Sequence, residues 1–377
     1  MPAGALATLR ATGHDASQAE TIAVMDSFLI TVDGREHDVG QDEVRRLLDA
    51  STRFWLDLAG MDRSGLDALL RDTFGFHELA VDDALRFGQR PKVDAYDDFT
   101  VLVVYGPSGD GHLVEVHCFY TEKYLVTVHH RACPELAALS GRLTQEGAPA
   151  PDQVMLLYRV VDALIDGYFP VLDGVDDRID ELEDQILQRP TDEQLGELFD
   201  MKRSLIALRK VVTPQRDMLA ELLAGTSALY GMTPDAERYF RNLYDHLIRI
   251  SDLVDSYRDL LSGVLDTHLS TVSNRLNVVM KQLTILATIF LPLSFLTGFF
   301  GQNFAWMVTR ITSLPVFVVA GIALPAAVVA ALVVVFRRRG WLTADGTVPP
   351  ARPAQRPRLT RQQRWHQLTP PQGRRSP

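Results

Sequence analysis

Seven residues towards the end of the chain recur at steps of three and four: Asn277, Met280, Thr284, Ala287, Leu291, Ser294 and Gly298. That spacing places them on one face of a helix. The face mixes an amide, hydroxyls, small residues and flexible apolar groups, whereas the opposite face carries Ile285, Ile289, Phe290, Phe295 and Phe299. In a membrane helix such a stripe either packs against a neighbouring helix or lines a water-filled path. The stripe runs into Phe300-Gly301-Gln302-Asn303-Phe304. Glycine lets the backbone leave the helix, and an asparagine amide with backbone carbonyls, repeated around a ring, presents neutral oxygen ligands. Mg²⁺ dehydrates reluctantly, so oxygens that hydrogen-bond its water shell suit an uncharged selectivity mouth. One helix cannot enclose a path, so conduction requires several subunits, each contributing one.

A second group of reactive types lies upstream. Nine acids fall between Asp162 and Asp184, among them Asp173, Asp176, Asp177, Asp180, Glu181, Glu183 and Asp184. They read either as a solvated helix face or as an acidic collar. A collar would raise the local cation concentration or pair with Arg337, Arg338 and Arg339, more strongly at low salt. Asp173, Asp176, Asp177 and Asp180 are therefore the candidates for a regulatory metal site. Asp82-Asp83 and Asp94, Asp97 and Asp98 flank Arg90-Pro91-Lys92 and are expected to be solvated or paired with Arg90 and Lys92, with membership of a regulatory site between subunits as the alternative for some of them. His117 alternates with apolar residues, and His129-His130 ends a strand, so surface or packing roles are expected rather than metal ligation. Cys118 and Cys133 belong to no CxxC and read as reduced thiols. No nucleophile–base pairing, P-loop or dinucleotide loop is visible, so no enzyme and no organic cofactor are expected.

The stripe needs an element to hold it. Between Lys281 and Arg310 no residue is charged, and the apolar core is Leu283–Phe300. A second uncharged stretch runs from Ile311, with its core at Leu314–Phe336. Each approaches the ~20 residues that cross a ~30 Å hydrocarbon layer. The turn between them, 301–313, is short, so the outer ends face the same side. Lys281 precedes the first span, Arg337, Arg338 and Arg339 follow the second, and the turn carries only Arg310; these outer residues are candidates for a basic ring. By the positive-inside rule both termini are expected in the cytosol, at the cytoplasmic (inner) membrane. Pro292 and Pro325 are expected to kink the spans. The N-terminal stretch 1–25 lacks the basic lead-in and apolar core of a signal peptide and is expected to be disordered, as is 343–377 within the basic, Pro-rich tail 337–377.

Charge is distributed unevenly. From Arg337 onwards ten arginines accompany one acid, Asp345, which leaves residues 1–336 with 28 basic and 47 acidic side chains. An acidic body argues against nucleic acid as a partner. Within that body, 26–133 is expected to be an α/β domain. Strands are predicted at Ser27–Val32, Phe54–Leu58, Phe99–Tyr105, Leu113–Tyr120 and Tyr124–His130, and helices at Gln41–Ala50, Arg63–Phe74 and Leu79–Leu85. Residues 134–232 form an acidic helical region, with helices over Pro151–Leu187 and Thr191–Gly225 broken at Pro190. A last helix begins at Thr233-Pro234-Asp235 and continues as a stalk, 233–282, into the first span, 283–300. The connecting loop is 301–313 and the second span 314–336. If continuous to Phe300, its ~67 residues extend roughly 100 Å.

Taken in order, these pieces resemble the CorA family of magnesium and divalent-cation transporters. Tyr244-Asp245-His246, Ser262-Gly263, Asp266, Ser273-Asn274-Arg275-Leu276-Asn277 and Met280-Lys281 are similar to its pore-helix approach. Ala287-Thr288-Ile289-Phe290-Leu291-Pro292-Leu293 is similar to its first span, and Gly301-Gln302-Asn303 stands where the family carries Gly-Met-Asn. Phe54-Trp55-Leu56-Asp57-Leu58, Phe74-Gly75-Phe76-His77-Glu78-Leu79-Ala80 and Gln89-Arg90-Pro91-Lys92-Val93 resemble its cytosolic domain. The resemblance covers about 25–342. It implies a homopentameric funnel: an α/β cytosolic domain, a long helical stalk and two C-terminal transmembrane helices per subunit. It implies a gated channel for Mg²⁺, with Co²⁺ or Ni²⁺ as further cargo, shut by divalent ions bound between cytosolic subunits. By resemblance, Asn277, Met280, Leu283, Leu291 and Asn303 match pore-lining positions and Asp266 lies on the stalk below them. Rings of Met280, Leu283 and Leu291 would close the path by dewetting. Three departures bear on ion identity and regulation: Gln302 in place of methionine, an exposed loop without an acid, and Asn242 where some members carry a regulatory aspartate. A zinc transporter of the same fold, or a membrane-anchored ion sensor, remains the alternative.

Overall fold

The computed structural model describes residues 28–31, 34–37, 41–108, 112–145, 152–225, 229–302, 305, 309 and 313–341. The predicted tails 1–25 and 343–377 and the position of Asn303 lie outside the described residues. The chain divides into two compact units, Met1–His268 and Leu269–Pro377.

The first unit is built on a seven-stranded sheet: β1 (Phe28–Thr31), β2 (Gly34–His37), β3 (Phe54–Ala59), β4 (Lys92–Ala95), β5 (Thr100–Pro107), β6 (Leu113–Tyr120) and β7 (Tyr124–His129). Their order is β2-β1-β3-β7-β6-β5-β4. Only β3 and β7 run parallel, with Asp57 opposite Thr127. The other neighbours are antiparallel. Strands β5 and β6 are buried along their whole length, because both faces of the sheet are covered. Central strands of that kind read as continuous apolar runs, not as alternation. Edge strands β2 and β4 carry polar residues, Gly-Arg-Glu-His and Lys-Val-Asp-Ala, and for that reason show no apolar pattern in the sequence.

One face carries Phe54, Leu56, Phe119, Tyr124 and Val126. Phe54 stacks on Tyr124 at 5.2 Å, and Phe76, from the turn before α3, reaches Phe119 at 4.5 Å and Phe99 at 4.7 Å. Three short helices belong to this half: α1 (Gln41–Asp49), α2 (Arg63–Ala68, running into a π turn at Leu69–Thr73) and α3 (Glu78–Arg86). His77 caps α3, its Nδ1 accepting from the Leu79 amide at 3.2 Å. The other face carries Trp55, Asp57, Cys118, Thr127 and His129, all buried.

The helices that follow are α4 (Pro134–Gln145), α5 (Gln153–Asp166), α6 (Tyr168–Gln188), α7 (Asp192–Leu223) and α8 (Pro234–Phe300). The single helix predicted over 151–187 is two, α5 and α6, parted at Gly167. Periodicity continues across the break, so only packing reveals it. A β-carbon on Gly167 would lie 2.8 Å from Pro107 Cγ and 3.0 Å from Glu135 Cγ. Only a bare backbone passes so close to the end of β5. Gly167→Ala is expected to cost about 1–3 kcal/mol by overpacking, visible as a lower melting temperature. Gly141→Ala, where nothing lies within 4 Å, provides the matched control without that loss.

Thr191 opens α7 with a reciprocal capping box to Gln194, and Thr233 Oγ1 accepts from Ala236 N at 3.1 Å before α8. Helix α8 then runs 67 residues without interruption. Within the first unit it buries Phe240, Leu243, Leu247, Ile250, Val254, Tyr257, Leu261 and Val264 at steps of three and four. Buried His268 bonds through Nε2 to the Thr191 carbonyl at 3.2 Å, which ties the α6–α7 turn to α8. In the second unit α9 (Leu314–Arg338) includes a π turn at Val318–Ala323. Both α8 and α9 are long and apolar enough to cross a membrane, and neither apolar window buries any residue within the chain.

Candidate ion path and carboxylate–histidine cluster

Asn277, Met280, Leu283, Thr284, Ala287, Leu291, Ser294 and Gly298 are all exposed on the single chain. Met280 is 60% and Leu291 77% exposed, within a contiguous apolar surface of the kind that marks contact with lipid or another subunit. The hydroxyl of Thr284 donates to the Met280 carbonyl at 2.8 Å, and that of Thr297 to Leu293 at 2.9 Å. With its hydrogen committed to the helix, the Thr284 oxygen faces outward as an acceptor only. That is the polarity a cation's water shell requires. At the helix end, Gly301 N bonds to the Thr297 carbonyl at 3.0 Å, and a β-carbon on Gly301 would approach that carbonyl to 3.0 Å. Gln302 N closes the turn on Phe299 O at 3.3 Å. Asp266 is exposed on α8, Lys281 is half-buried, and Arg337, Arg338 and Arg339 are exposed.

The acid run occupies the solvent side of α6. Asp177 and Asp180 are exposed and Asp173 and Asp176 half-buried. Arg178, in their midst, bonds Glu197 of α7 at 2.6 Å and Glu181 at 2.7 Å, so part of this charge is already matched.

Among the described residues, one set of three side chains brings possible metal-ligand atoms within 4.8 Å of one another: Asp162 and Asp166 of α5 with His246 of α8. The i,i+4 spacing aligns the two carboxylates, and α8 packs the imidazole beside them. His246 Nδ1 lies 3.3 Å from Asp166 Oδ1, and Asn242 Nδ2 donates to Nε2 at 3.3 Å. Hydrogen bonding to Asp166 raises the His246 pKa against partial burial. Burial, then the charge of Asp166, raises that of Asp162. Beside the cluster opens a cavity of about 690 Å³ lined by Glu135, Arg142, Tyr158, Arg159, Asp162 and Asp166. The Asp-x₃-Asp spacing was the only local trace of this set; its third member stands 80 positions later and joins only through the packing of α8.

Several of the other singled-out residues are engaged in contacts within the chain. Lys92 bridges Asp83 at 2.7 Å and Asp94 at 2.6 Å, while Asp82 pairs with Arg71 and Arg86. His117 is fully buried and bonds Glu115 at 2.7 Å. Glu115 also accepts from the amides of Gly88 and Gln89 and from the Tyr105 hydroxyl, which pins the turn after α3. Burial alone would raise the Glu115 pKa; these bonds, led by His117, bring it below the usual value. His129, read as a surface or packing residue, is buried against Asp57 at 3.1 Å. Cys118 and Cys133 are free and buried.

An α/β unit whose last helix continues into an apolar span, followed by a second span, defines a two-span membrane protein with its mass before the membrane. A family model for CorA-like Mg2+ transporter proteins matches residues 50–338, and the chain belongs to that family. It is similar to the cobalt/magnesium transport protein CorA of Thermotoga maritima, at 35% identity over 301 residues, 78% of this chain and 85% of the relative. It is also similar to the zinc transport protein ZntB of Yersinia enterocolitica, at 27% identity over 63% of this chain and 72% of the relative. In fold it is similar to the complete structure of the CorA magnesium transporter from Methanocaldococcus jannaschii. There the TM-score is 0.71 at 21% identity, with 85% of this chain and all of that one covered.

Proposed function

We propose that this chain is one subunit of a homopentameric channel that carries Mg²⁺, and with it Co²⁺ or Ni²⁺, across the cytoplasmic membrane. Both termini and the α/β unit stand in the cytosol. The observation that carries this reading is the continuity of α8 with an exposed stripe of amide, hydroxyl and small residues along its apolar part. A ring of such helices places the Thr284 and Ser294 oxygens along a water-filled path. Met280, Leu283 and Leu291 form its apolar constrictions, with Gly301, Gln302 and Asn303 at its mouth. Asp266 gathers cations at the cytosolic approach, and Lys281 with Arg337, Arg338 and Arg339 forms a basic ring at the membrane edge.

Control by the transported ion follows from carboxylates on the cytosolic unit. Asp162, Asp166 and His246 offer three ligand atoms to a divalent cation, and Asp173, Asp176, Asp177 and Asp180 concentrate cations around it. Similarity to both magnesium and zinc transporters makes the cargo the quantity to measure. In liposomes carrying the purified chain, Mg²⁺ influx is expected to be indifferent to a pH gradient and suppressed by Mg²⁺ on the cytosolic face. Combined Asp162→Asn and His246→Gln changes are expected to raise the concentration needed for suppression. Zinc influx that follows a proton gradient would replace this reading with zinc transport, and absence of flux for every ion would leave an ion sensor.

A further inference from the structure

The end of α9, which supplies the proposed basic ring, also carries features that suit the membrane surface itself. Its apolar stretch, Leu314–Phe336, is 23 residues, about 34 Å at 1.5 Å per residue, slightly more than the ~30 Å hydrocarbon layer. Phe336 therefore reaches the edge of the layer, and Arg337, Arg338 and Arg339 enter the headgroup region. Successive helical positions differ by about 100°, so three consecutive arginines spread over about 200° of the helix circumference. A protein partner on one side would meet one or two of them; a layer of headgroups meets all three. None of the three pairs with a carboxylate among the described residues.

The helix end is also closed by its own backbone. Gly340, at φ +68°, donates to the Arg337 carbonyl at 3.1 Å, and Trp341 N donates to the Phe336 carbonyl at 2.8 Å. This paired closure comes with its usual apolar contact: the Trp341 ring stacks on Phe336 at 5.6 Å and 11°, leaving Phe336 6% exposed. The Phe336 and Arg337 carbonyls are thus satisfied without the arginine side chains. The indole is fixed where an amphipathic ring suits the membrane interface.

We propose that Arg337, Arg338, Arg339 and Trp341 form a docking surface for the phosphate of an anionic phospholipid, with the indole packed beside its glycerol and upper acyl carbons. The proposal rests on α9 spanning a bilayer, and not on which ion the chain carries. The test uses the full-length protein in neutral detergent. Short-chain phosphatidylglycerol, short-chain phosphatidylcholine and inorganic phosphate are titrated, and bound lipid is counted by native mass spectrometry beside the melting temperature. Phosphatidylglycerol is expected to bind at least tenfold more tightly than phosphatidylcholine, and less tightly as salt rises. Arg337→Gln, Arg338→Gln and Arg339→Gln together are expected to weaken it about a hundredfold, since each basic residue near an anionic surface contributes about a factor of five. The three Arg→Lys changes should retain most of the binding, and Trp341→Ala should weaken it several-fold. Equal affinity for both lipids, binding by inorganic phosphate as strong as by the lipid, or an unchanged glutamine variant would overturn the proposal. Should the glutamine variant fail to assemble, a wild-type response independent of salt would overturn it as well.

Discussion

Asn303→Ala is expected to remove Mg²⁺ flux while leaving the protein assembled. Its amide is the last neutral side-chain oxygen on the proposed path, next to Gly301 and Gln302. A hydrogen bond to a charged group contributes about 1.5–3 kcal/mol, and about 1.4 kcal/mol is a factor of ten. Loss of the amide ring should therefore lower flux tenfold at the least. Alanine keeps the backbone and adds no bulk, so size-exclusion behaviour and melting temperature should match the parent. Asn303→Gln keeps the amide on a longer arm and should restore part of the flux. Full flux in the alanine variant, measured by Mg²⁺ entry into liposomes, would remove the selectivity mouth from the 301–303 segment.

The largest expected effect on stability lies in the sheet. Asp57 and His129 are buried side by side on adjacent parallel strands. Thr127 Oγ1 donates to Asp57 and accepts from Trp55 Nε1 at 2.9 Å, and His129 Nδ1 reaches the Arg131 carbonyl at 2.6 Å. Burial by itself would lower the His129 pKa; attraction to Asp57, with hydrogen bonds to Asp57 and the Arg131 carbonyl, raises it instead. Asp57→Ala leaves the imidazole without its counter-charge, and breaking a buried pair costs about 3–5 kcal/mol. For a unit of this size that is a fall on the order of 10 °C in melting temperature. The double change Asp57→Leu with His129→Leu should cost less than either single change, because no orphaned charge remains.

The pH dependence has a definite sign. His129 is raised above its unfolded value of about 6.5, so its contribution is complete below that pH and is lost as pH rises through the folded value. The gap in melting temperature between the parent and His129→Leu should therefore narrow towards alkaline pH. A gap that widens there would show that His129 is held neutral.

Much of this architecture was legible from residue order. Uncharged runs of membrane length, Thr233-Pro234 at a helix start and unbroken helical periodicity are local properties, and the spans and the 67-residue helix follow from them. The central strands were legible for the same reason: burial on both faces writes itself as an apolar run. The resemblance to CorA rested on such ordered local pieces, and the family match over 50–338 agrees with it.

What the order of residues did not contain is set by contacts between distant segments. Strands β2 and β4 are polar edge strands, held by pairing and not by their own pattern. Gly167, between α5 and α6, lies where β5 and α4 leave no room for a β-carbon. Asp57 and His129 are 72 positions apart and meet only because β3 and β7 run parallel in register. Asp162 and Asp166 acquire His246 only when α8 packs against α5. Each of these is a matter of which surfaces become neighbours once apolar faces are buried, and periodicity along one segment carries no information about its neighbours in space.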